Sequence, residues 1–69
     1  MDSNYIINRL KSTRYQYPTV TFLRTRLQNL EEQKRKEVIS SLKIALYKAK
    51  NVDIHEPLTA LLYRMPIAS

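Results

Sequence analysis

The chain has 69 residues, twelve Lys and Arg against six Asp and Glu, a formal charge of +6, one His, no Cys and no Gly. That length allows one domain near the lower limit for a self-sufficient core. The missing cysteines and lone histidine exclude a disulfide framework and a zinc set. The absence of glycine removes phosphate-cradling glycine loops, and a pI near 9.9 points to an anionic partner, nucleic acid before an acidic protein or membrane.

Asp2 or Ser3 caps a predicted first helix over about 3–15 with Ile6, Ile7, Leu10 and Tyr17 on its apolar side. Pro18 pushes Tyr17 out of the helical region and ends it near Arg14 to Gln16. "TVTFLRTRL" is β-branched enough for a strand with Val20 and Phe22 on one side, but no second run offers a partner. Leu23, Leu27 and Leu30 favour a helix over about 19–28. Asn29 and Glu32 have the form of a capping box opening a third helix over about 30–50, against the rival of one rod from 19 to 50. Its core face is Val38, Ile39, Leu42, Ala45, Leu46 and Ala49, an arc of about 120° at helical pitch. Asn51 ends it. Glu56 caps and Pro57 opens a fourth helix over about 57–65, with Leu58, Leu61, Leu62 and Met65 as its apolar face and Pro66 as its stop. The expected fold is therefore all-α: a single helical domain over 1–69, a bundle of three or four helices, and a homodimer, because small chains without staples gain burial by association.

Catalysis has no foothold. His55 stands without a nucleophile, and Glu31 and Glu32 diverge on a helix, so no enzyme activity, cofactor, metal or small-molecule substrate is expected. The apolar runs are too short for a membrane span or a secretory signal, which places the chain inside the cell, in cytoplasm or nucleus, and not among secreted proteins. Five basic side chains and one acid in the first 30 residues hint faintly at a mitochondrial presequence.

The basic residues carry the functional reading. Lys36, Lys43 and Lys50 recur every seven residues, which sets them along one edge of a helix reaching to 50, about 10 Å apart, with Tyr47 on the same side. Such an edge can run along a phosphate backbone and displace counterions; it can equally be a solvated face. Arg24 and Arg26, after Arg9, Lys11 and Arg14, spread the charge through the first half. Ile44 and Tyr47, away from the core face, are a candidate dimer or partner contact. Tyr15 and Tyr17 either stack on bases or pack the corner beside Pro18.

"LKIALYKAK" at 42–50, followed after a gap by "TALLYRMP" at 59–66, resembles the matching part of nodavirus RNA-silencing suppressors. The resemblance implies a small all-helical dimer that lies along double-stranded RNA without reading sequence, with Lys48 as a phosphate contact. The family's further arginine has no counterpart in "NVDIHEP", and Lys48 projects from the flank opposite Lys36 and Lys43, so resemblance and periodicity name different edges. "LLYRMP" also resembles the motif of mitochondrial LYR proteins, but at the wrong end of the chain. Two functions follow from the sequence: sequence-tolerant binding of double-stranded RNA or DNA, or a small adaptor whose 58–65 face docks a partner helix.

Overall fold

A computed structural model describes residues 1–63 and Met65; Arg64 and the segment 66–69, with the expected proline stop at Pro66, lie outside the described residues, and the last helix, expected to reach 65, ends at Leu62 because Tyr63 turns extended. Four α-helices follow one another: α1 (Ser3–Ser12), α2 (Gln16–Gln28), α3 (Glu32–Leu46) and α4 (His55–Leu62), with a 3-10 helix (Ala49–Ile54) leading into α4. No strand occurs among the described residues, so "TVTFLRTRL" is helical in α2.

Asp2 caps α1, its Oδ1 accepting the Tyr5 amide at 2.9 Å, an interaction worth about 1 kcal/mol. The helix stops at Ser12, three residues short of the expected end, because Thr13 turns extended. The Thr13 hydroxyl accepts the Tyr15 amide at 3.1 Å and meets the Thr19 hydroxyl at 2.8 Å, which fixes the corner. The second helix then starts at Gln16, earlier than expected, with Pro18 inside its first turn. First-turn amides have no partner within a helix, so proline loses nothing there and Tyr17 stays helical before it. Tyr15 and Tyr17 are exposed, so the corner is packed by threonines and not by these rings.

The expected break near Asn29 is present, but the capping box is not formed. Asn29 is the C-terminal cap of α2, and α3 starts at Glu32 with no side-chain cap. Arg35 holds this turn instead: its Nη1 donates to the Gln28 carbonyl at 3.4 Å and the Leu30 carbonyl at 3.5 Å.

The third helix ends at Leu46, not 50. The Tyr47 and Lys48 amides donate to the carbonyls of Ile44 and Ala45, tightening the last turn. Asn51, buried to 1% exposure, reaches back and donates Nδ2 to the Ala45 carbonyl at 2.8 Å. The turn has a packing reason: it returns the chain so that Ile54 enters the core and α4 follows, whereas Ala49, expected on the core face, is exposed. Because the 3-10 helix runs directly into His55, Glu56 and Pro57 fall within the first turn of α4 and Glu56 is not its cap.

One core joins Ile6 and Leu10 of α1, Val20, Leu23 and Leu27 of α2, Val38, Ile39 and Leu42 of α3, Ile54, and Leu58, Leu61 and Met65. Each fully buried leucine contributes about 1.5–3 kcal/mol. The fourth helix touches every other element, α2 most extensively, and the whole measures 30 × 24 × 19 Å. No helix among the described residues is long and apolar enough to cross a membrane.

Candidate nucleic-acid interface

The early end of α3 changes how the lysines are arranged. Lys36 and Lys43 lie on α3, but Lys50 is in the 3-10 helix, so the seven-residue spacing no longer sets it on their edge. Lys36 Nζ lies 3.6 Å from Glu32 Oε1 one turn before it, an exposed pair of small energetic worth.

Lys43 borders a groove between α3 and α4 with Leu46, Tyr47, Thr59, Leu62 and Tyr63, of about 470 Å³. Lys48 and Lys50 border a different groove, of about 230 Å³, between α1 and the end of α3. The edge named by periodicity is thus divided: Lys43 and Lys48 border different grooves, and Lys50 shares the groove of Lys48. Ile44 and Tyr47, 65% and 83% exposed, also part company: Ile44 lines the α1-side groove and Tyr47 the α4-side one.

Lys11 approaches this region from α1. Its Nζ donates to the Lys50 carbonyl at 2.8 Å and lies 3.8 Å from Asp53 Oδ1. That contact joins residues 39 positions apart, and no local pattern announces it. Asn51 was legible only as a helix end; an amide side chain soon after the last apolar position is the signal for a cap that reaches back.

The arginines divide. Arg24 is half-buried and donates Nη1 to the Ala60 carbonyl at 3.3 Å, tying α2 to α4. Arg26 is exposed with its guanidinium 5.6 Å from the Phe22 ring centroid, a cation–π contact on the surface. Tyr17, 78% exposed, lines a small recess with Val20, Glu56, Pro57 and Ala60.

Among the described residues only Lys11 and Lys36 have a carboxylate within 4.0 Å, so Lys43, Lys48 and Lys50 have no anionic partner there. His55 opens α4, exposed beside Glu56, and no cluster of His, Cys, Asp or Glu among the described residues could hold a metal ion. The face 58/61/62/65, read as a possible docking stripe, is committed to the core: Leu58, Leu61 and Met65 are buried and Leu62 is partly so.

No family model matches the chain, and neither a curated protein nor a solved structure is similar to it.

Proposed function

We propose that this protein binds the phosphate backbone of double-stranded RNA or DNA without reading sequence, and that it does so non-enzymatically. The observation that carries the reading is that Lys43, Lys48 and Lys50, at and just beyond the end of α3, are exposed and, among the described residues, have no carboxylate within 4.0 Å. Three ammonium groups so placed can each displace a counterion from a duplex, and Tyr47 beside Lys43 offers an exposed ring for sugar or base contact. Arg26 can join as an outlying phosphate contact, whereas Arg24 and Lys36 are occupied within the fold.

Fluorescence anisotropy against duplex RNA, duplex DNA and single strands, across salt, tests it. Affinity for duplexes should fall steeply with salt, and Lys43→Glu should weaken it sharply. Absence of duplex binding at low salt sinks the proposal.

A second reading rests on the α3–α4 groove, where Leu46 and Leu62 are partly buried beside Tyr47 and Tyr63. A helix of a partner, or of a second copy, would cover these apolar groups. A homodimer formed there would carry +12, twice the chain's +6, on one particle. Sedimentation measures it: a dimer mass that Tyr47→Asp converts to a monomer supports the contact, and a monomer in both removes it.

A further inference from the structure

The α1-side groove combines the Lys48 and Lys50 pair with two features that backbone binding does not by itself require. Ser3 and Asn4, in the first turn of α1, form one wall. The Asp2 carboxylate already takes the Tyr5 amide of this turn and offsets part of the helix's positive end, which leaves the Ser3 and Asn4 amides without partners within the helix. Lys48 and Lys50 supply two ammonium groups at the same groove, and Ser41 adds a hydroxyl from α3. Asp2, which caps this turn, does not line the groove but a separate recess with Met1, Tyr5 and Arg26.

The second of these features is Asn51. It lines the groove at 1% exposure and spends Nδ2 on the Ala45 carbonyl, while its Oδ1 is buried with no donor at all. A buried acceptor without a donor costs stability until one arrives. Lysines and helix amides attract an anion, but an orphan acceptor calls for a hydroxyl or amine. A phosphate with a neighbouring sugar hydroxyl brings both.

Resting on the proposed backbone binding, we infer that this groove is a subsite for one ribose–phosphate unit. The phosphate lies against Lys48, Lys50 and the start of α1, and the ribose 2′-hydroxyl donates to Asn51 Oδ1. Because Oδ1 meets no solvent in the free protein, entry of the hydroxyl parts the groove walls locally. The groove volume of about 230 Å³ suits one such unit and not a whole nucleoside with its base. The consequence is discrimination by the sugar and not by the base. Ribose is preferred because only its 2′-hydroxyl satisfies the acceptor.

The test uses the full chain and three duplexes of one sequence: RNA, the same RNA with 2′-fluoro sugars (A-form, without the hydroxyl donor), and DNA. The RNA duplex should bind about three- to tenfold more tightly than its 2′-fluoro counterpart, the worth of one hydrogen bond. Ser41→Leu, which fills the groove from an exposed position on α3, should erase that difference. Equal affinity of the wild-type protein for RNA and 2′-fluoro RNA overturns the inference and leaves backbone binding standing. If no duplex binds, backbone binding falls, and titration with ribose 5-phosphate decides the groove. Amide shifts confined to Ser3, Asn4, Ser41, Lys48, Lys50 and Asn51 uphold it, and their absence overturns it.

Discussion

Neutralising Lys48 and Lys50 together gives the most direct measurement of whether these lysines hold phosphates. With Lys43, Lys48 and Lys50 as three backbone contacts, log affinity for duplex DNA falls with log salt at a slope of about −2.7, since each contact contributes about −0.9. Raising salt fourfold, from about 50 to about 200 mM, then weakens the wild-type protein about fortyfold. Lys48→Gln with Lys50→Gln leaves one contact, a slope of about −0.9 and a weakening of about 3.5-fold over the same range. The double variant should keep its fold. Both side chains are exposed, and the bond that ties Lys50 to α1 is made by its carbonyl, which the substitution leaves in place. Such surface changes stay within about 0.5 kcal/mol. Lys36→Gln is the matched control, because that ammonium already faces Glu32, and its slope should equal that of the wild type. Anisotropy at four salt concentrations, with circular dichroism melts for each variant, supplies the data. A double variant with an unchanged slope, or a Lys36→Gln variant that loses as much slope as Lys48→Gln alone, refutes the assignment.

The remaining predictions separate structural residues from binding residues. Arg24→Met removes the bond to the Ala60 carbonyl and should cost about 0.5–1.5 kcal/mol, seen as a Tm lower by several degrees with an unchanged salt slope. Asn51→Ala loses the bond to Ala45 but also deletes an unsatisfied oxygen, so it should cost about 1 kcal/mol. Asn51→Asp, which sets a buried carboxylate against a carbonyl, should cost about 3 kcal/mol or more; urea midpoints give the order. Leu42→Ala opens a cavity at a fully buried position and should cost about 2–5 kcal/mol, enough to leave much of so small a domain unfolded at 25 °C in a urea titration.

The parts of the fold legible in the sequence were those set by helical periodicity. Ile6 and Leu10, Leu23 and Leu27, Val38, Ile39 and Leu42, and Leu58 and Leu61 are all core residues at the expected spacings. The helix ends were less legible, because tertiary needs chose them. Nothing local stops α3 at Leu46; the burial of Ile54 and Asn51 does. Pro18 was read as a breaker, yet the threonine corner moves the start of α2 ahead of it, into a turn where a missing amide is harmless. The candidate site inherited the same error. A helix continued to 50 would align Lys50 with Lys43, whereas the real turn delivers it beside Lys48 and against α1.

The place of α4 has a consequence for how the chain is made. Leu58 and Leu61 are fully enclosed, and the helix that carries them leaves the ribosome after α1, α2 and α3 while touching all of them. Without it, the apolar faces of α1, α2 and α3 that it covers would be left open to solvent. A chain severed within the Ala49–Ile54 link should therefore reassemble from its two pieces, which makes this small fold a natural starting point for a split reporter.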